Sequence, residues 1–306
     1  MNRPARSNDD NLPLAISAIL FTVFALALGD AFIKRFSTDF TLWQIFVLRS
    51  VLALPVLTAF IKLRYKGTSL IPQFVTWTAL RSLMLTIMWV AYYTALPHMA
   101  LSVAAAAYYT LPIFITLFAS LFIGEKIGTR GWVAVFLGFC GVLLILRPQA
   151  DDFNAYALLP VVSAILYALA MIITRTKCKN EHVLVLSLAL NVSMIIVGGV
   201  AALLIWLWNP ADATVLANPF LLDQWSAMGQ DDWLVMGFLA VAIIVGSVGA
   251  AIAYQSGPSS VVGTFDFAYV AFAACWGYLL FAEVPDAITI TGMALVVIAG
   301  VLAVRK

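Results

Sequence analysis

The chain has 306 residues, 63% of them hydrophobic and only 10% charged, with a mean hydropathy of +1.01 and a formal net charge of +2. A soluble domain carries about 25% charged residues, so this composition excludes a water-soluble fold and points to a lipid bilayer as the solvent. The small net charge and the lack of a basic stripe exclude a nucleic-acid partner. Two histidines and the scattered Cys140, Cys178 and Cys275 supply no zinc-ligand or disulfide pattern, and no cofactor or metal is expected.

A helix needs about 20 apolar residues to cross the hydrocarbon. The first run, 12–33, is too long for a signal-peptide core and reads as a retained helix ending near Asp30. The second, 41–61, carries Arg49 near its centre and Pro55 beyond it. The third, 73–95, contains Arg81 and places Leu85, Trp89, Tyr92 and Leu96 at helical spacing. The fourth, 101–123, does the same with Ala105, Tyr109, Pro112 and Thr116, and is expected as one helix with a proline inside it.

A short fifth run, 131–146, contains Gly138 and Gly141, small residues that let helices approach closely. The sixth, 154–174, contains Pro160 and Tyr167, and the seventh covers 183–208. Next comes NPADATVLANPFLLDQWSAMGQDD (209–232), Pro-rich, acidic and bordered by Trp206, Trp208, Trp225 and Trp233. Tryptophan favours the headgroup level, so this segment is expected along the membrane surface. The eighth run, 233–255, ends in Tyr254; the ninth, 259–281, holds Asp266, Phe267 and Tyr269; the tenth is 287–304.

Lysine and arginine bias sets orientation. With the N-terminus in the cytoplasm, inside segments hold Arg3, Arg6, Lys62, Arg64, Lys66, Lys126, Arg130, Arg175, Lys177, Lys179, Arg305 and Lys306, whereas outside segments hold only Lys34, Arg35 and Arg147. Both termini are therefore expected in the cytoplasm of a multi-pass inner-membrane protein.

The fourth run echoes the ninth: SVAAAAYYTLPIFITLFASLFIGEK (102–126) aligns with 260–284 through Ser102/Ser260, Val103/Val261, Phe114/Phe272, Leu121/Leu279 and Glu125/Glu283. The fifth and tenth share a glycine register at Gly141 and Gly300, and AFIKR (31–35) echoes MIITR (171–175). The expected organisation is an all-α integral membrane domain of ten transmembrane helices, in two repeats, 1–150 and 151–306. Each repeat has an odd number of spans, so the second enters the membrane inverted. Inverted repeats are a recurrent transporter plan, with the solute site near the midplane between the halves.

At these residues the sequence resembles the EamA-type ten-helix branch of the drug/metabolite transporter superfamily. The resemblance rests on YYTALPHMALSVAAAAYYTLPIFITLFASLFIGEKIGTRGWVAVFLGFCGVLLILRP (92–148), repeated less faithfully in 253–304, with Leu28-Gly29 where many members have Trp-Gly. Within that branch the chain looks most like YddG-type exporters of aromatic and other amino acids. The resemblance implies a ten-helix basket around a central cavity, with the first, third, fourth, sixth, eighth and ninth helices inside and the fifth and tenth outside. It also implies export of amino acids or related small metabolites by alternating access.

The charged residues within spans are candidates because such a residue costs about 2.5–3.5 kcal/mol at a helix centre. Arg49 reads as a carboxylate anchor or gate, or as a structural partner of backbone or an acid. Asp266 reads as an ammonium contact, a proton carrier or a structural acceptor. Asp30 and Arg81 read as interfacial, with Asp30 retained as a coupling candidate and Pro112 as a possible hinge. Trp89, Tyr92, Tyr109, Tyr167, Tyr254, Phe267 and Tyr269 are the candidate cavity aromatics, since such rings combine apolar area with polar edges. His98 is expected in a solvated outer turn. Glu125 and Glu283 are expected at opposite membrane faces, pairing with cations such as Lys126 or Arg130.

No HExxH, Walker loop or GxSxG occurs, so the chain is not expected to be an enzyme. Two alternatives share the expected fold. A cation exporter would want a central acid on the first helix, which is not expected there. A nucleotide-sugar or sugar-phosphate carrier would want several cavity cations, and Arg49 alone qualifies.

Overall fold

The computed structural model describes residues 11–123, 128–146, 154–257, 259–266 and 268–304, and all regular structure among them is helical. In chain order the helices are α1 (Leu12–Phe36), α2 (Leu42–Arg64), α3 (Val75–Ala95), α4 (Leu101–Tyr108), α5 (Leu111–Phe118), α6 (Thr129–Leu146), α7 (Leu158–Thr176), α8 (Val183–Trp208), α9 (Asp212–Ala217), α10 (Pro219–Leu222), α11 (Gln230–Ser256), α12 (Ser259–Asp266), α13 (Ala268–Phe281) and α14 (Ala287–Val304). Among the described residues seven stretches are long and apolar enough to cross a membrane: Leu12–Phe36, Leu42–Arg64, Val75–His98, Leu101–Phe122, Ala155–Thr176, Val183–Trp208 and Gln230–Ser256. Ala268–Phe281 and Ala287–Ala299 are shorter apolar helices. The protein is a multi-pass helical membrane protein.

Helix starts follow local chemistry. Asn11 and Thr41 accept hydrogen bonds from the backbone N–H groups of Leu14 and Gln44 (3.2 and 3.3 Å), satisfying donors that the first turns of α1 and α2 leave unpaired. The fourth sequence span is not one helix. Pro112 has no N–H to return to Tyr108, and the chain turns at Tyr109 and Thr110 before resuming as α5. The Thr110 hydroxyl closes the turn on the Ala107 carbonyl at 3.0 Å.

The largest helix contacts are α6 with α14, α1 with α11, α3 with α7, and α2 with α8. Next come α1 with α13 and α5 with α7, then α3 with α8 and α2 with α11. Numbering α4–α5 and α12–α13 as one span each, exchanging every span with the one five places away maps each of these pairs onto another of them or, for α6 with α14 and α2 with α8, onto itself. Small residues permit the closest crossings. A Cβ at Gly249 of α11 would lie 2.0 Å from the Thr22 hydroxyl oxygen of α1, and one at Gly138 of α6 would lie 3.3 Å from the Ala299 Cβ of α14.

Hydrogen bonds between connecting segments fall into two sets, one at each end of the bundle. In one set Asn11 N–H meets Ser256 O (2.8 Å), Arg175 meets Gly257 O (2.7 Å), and the Glu181 carboxylate accepts from Phe74 N–H (2.7 Å). In the other, Lys34 meets Glu283 (2.5 Å) and Met99 O (2.6 Å), and Asn154 meets His98 O (2.7 Å). The 209–232 segment belongs to the second set: Trp43 donates to Leu221 O (2.8 Å), and Gln44 exchanges two bonds with Ser226 (2.8 and 2.9 Å).

Candidate substrate site

The third sequence span puts Trp89, Tyr92 and Tyr93 within one helical turn, and the fourth puts Tyr108 and Tyr109 where α4 ends. With Tyr167 of α7 and Tyr269 of α13 these rings meet at the centre of the bundle. All of them except Tyr93 line a narrow, partly enclosed pocket with Val23, Leu26 and Asp30 of α1 and Asp266 of α12. About 20 Å³ of space remains inside, enough for a water molecule and too little for a metabolite.

Two carboxyl groups, each gripped by two phenols, organise the pocket. Tyr93 donates to Asp30 at 2.8 Å, and Tyr269 forms a short hydrogen bond with the other Asp30 oxygen. Tyr269 also meets the Tyr92 hydroxyl at 2.8 Å. Across the pocket Tyr109 and Tyr254 donate to Asp266 at 3.3 and 3.1 Å. The Tyr109 and Tyr269 rings stack at 5.4 Å, so the two acid–phenol groups are joined ring to ring. Trp89 stacks on Tyr93 at 4.9 Å, and Tyr108 sits 5.4 Å from Tyr92 and 6.0 Å from Tyr167.

Asp30, expected near an interface, is 1% exposed. The end of α1 extends to Phe36, beyond the sequence span, and α11 and α13 cover that turn. The first helix therefore does carry a buried acid. Arg81, also expected at the interface, is 1% exposed and donates to the Thr174 hydroxyl (2.7 Å) and the Leu186 carbonyl (3.5 Å). It satisfies its guanidinium on α7 and α8 rather than in water.

Arg49 is buried but does not line the pocket. Its Nη2 lies 3.4 Å from the Met194 sulfur, and its Cζ lies 4.9 Å from the Phe46 ring and 5.6 Å from the Tyr93 ring. Its Nε is buried without a hydrogen-bond partner. Tyr254 is buried behind Asp266. Pro112 is the second residue of α5. Phe267 and Glu125 lie outside the described residues. Glu283 meets Lys34 and the Leu101 N–H (2.8 Å); Lys126 and the Arg130 side chain lie outside the described residues. His98 stacks on Tyr156 at 3.8 Å.

Sequence reasoning missed Tyr93, Tyr108, Val23 and Leu26. Tyr93 was findable because it follows Trp89 by four residues, on the same helix face. Tyr108 points inward because the chain turns immediately after it, which spacing along an uninterrupted helix does not reveal.

Residues 13–147 match the EamA-like transporter family. A pseudopaline exporter of Pseudomonas aeruginosa is 27% identical over 94% of this chain and 96% of its own length. A riboflavin transporter of Vibrio cholerae is 31% identical over 62% of this chain and 57% of its own. An S-adenosylmethionine uptake transporter of Rickettsia bellii is 25% identical over 61% and 58%. A crystal structure shares 17% identity and superposes with a TM-score of 0.66, over 95% of this chain and 96% of that one. The matched family and the three named relatives are transporters, not enzymes.

Proposed function

We propose that the protein is an inner-membrane carrier exporting amino acids or related small metabolites by alternating access. It would act through ten crossings arranged as two inverted halves, 1–150 and 151–306, with both termini in the cytoplasm. The observation that carries this reading is the narrow pocket bearing two carboxyl groups at the centre of an apolar bundle, with bonded segments at both ends. Such an arrangement fits an occluded state from which either end could open. The exchange relation among helix pairs supports the inverted halves. Export is supported by the relative matched over nearly its whole length, which is named an exporter.

A cation exporter is the second reading, favoured by Asp30 and Asp266 in a pocket that no described lysine, arginine or histidine lines. The same absence of cations argues against a nucleotide sugar or sugar phosphate. Counterflow in proteoliposomes tests these readings with labelled phenylalanine, threonine, a nucleotide sugar and a cationic dye. Exchange of the amino acids is expected; exchange of none of the four would refute the carrier reading.

A further inference from the structure

We propose that Asp30 and Asp266 form a two-point site for a protonated nitrogen of the substrate, so that amines and amine-bearing zwitterions are carried and deaminated anions are rejected. The assignment rests on the carrier reading and names its substrate class. An ionised carboxylate offers about four acceptor positions, and each acid here uses two on phenols. Both acids border the pocket, so the remaining capacity is available to an occupant. The other polar lining consists of phenols and the Trp89 indole, whose ring faces attract cations and offer an anion nothing comparable. Arg49, the nearby cation, is directed at Phe46, Tyr93 and Met194 instead.

Each acid also ties helices together. Asp30 joins α1 to α13 through Tyr269, and Asp266 joins α12 to α4 through Tyr109. An entering ammonium group donates to the same oxygens as these phenols. Binding therefore draws on the oxygens that also anchor these ties and weakens them, which links recognition of the nitrogen to opening of the bundle.

The test uses the full chain in nanodiscs with phenethylamine, phenylalanine and 3-phenylpropionate, probes that share a ring and differ in charged groups. Binding is read by Trp89-sensitive fluorescence and thermal shift. Phenethylamine and phenylalanine are expected to bind and 3-phenylpropionate is not. Asp30→Asn and Asp266→Asn should each weaken amine binding by about tenfold or more, with Asp30→Glu recovering part. The three-probe comparison on the unaltered protein decides the matter even if an Asn variant misfolds. Equal binding of 3-phenylpropionate, amine binding indifferent to both Asn changes, or no amine binding at all would each overturn the assignment. Amine binding without counterflow of any solute would instead sink the carrier reading and leave this site standing.

Discussion

Arg49 is a buried cation met by a sulfur atom and two ring faces. Its nearest route to an opposite charge runs through Tyr93, whose ring lies beside the guanidinium and whose hydroxyl holds Asp30 at 2.8 Å. Removing one member of a buried charge pair leaves the other uncompensated, which costs more than removing both. Arg49→Met and Asp30→Asn should therefore each lower the melting temperature in detergent. The double variant should recover part of the loss, with a coupling of about 1–3 kcal/mol. Additive losses in this double-mutant cycle would show that Tyr93 does not connect them. The sequence identified both residues as costly but could not pair them, because 19 positions of chain separate them and the ring that joins them lies on a third helix.

At the scale of elements, Glu283 is the point where three segments meet. It holds Lys34 of α1, accepts from the first N–H of α4, and follows α13, while Ala282 beside it takes a left-handed φ of 54° to make the corner. Lys34 also binds the Met99 carbonyl, so one half-buried ion pair gathers α1, the turn before α4 and the end of α13. Glu283→Gln keeps a side-chain acceptor for Leu101 but discards the ionic attraction to Lys34. This end should then open more often. A Val23→Cys reporter in the pocket wall should react up to about fivefold faster with an impermeant maleimide applied from this side. An unchanged rate would mean that the ion pair does not hold this end shut. Sequence periodicity located the helices well where they run uninterrupted, as in α1, α2, α3 and α8. At the fourth span it located the crossing but not the break within it, because an apolar pattern continues through a proline whose effect is local and geometric. It read Glu283 as an ion-paired residue at a helix end but could not name Lys34, which lies 249 positions away in the chain.

For the whole molecule, the decisive relation is that, among the described residues, bonds between connecting segments stay within one set or the other. The set containing 11, 65–74, 175–182 and 255–257 is rich in lysine and arginine, and the set containing 209–229 is acidic. The basic end should face the cytoplasm. Two exposed positions read this out: Ile71 lies in the basic set, and Leu216 lies in the acidic segment between α8 and α11. With the native cysteines replaced, Leu216→Cys should be labelled by an impermeant maleimide on intact spheroplasts. Ile71→Cys should be labelled only after permeabilisation. Labelling in the opposite sense would reverse the orientation while preserving the two-ended architecture. Labelling of both from the same side would break the architecture itself, because the pocket bounded by Asp30 and Asp266 could then no longer lie between two separately opening ends.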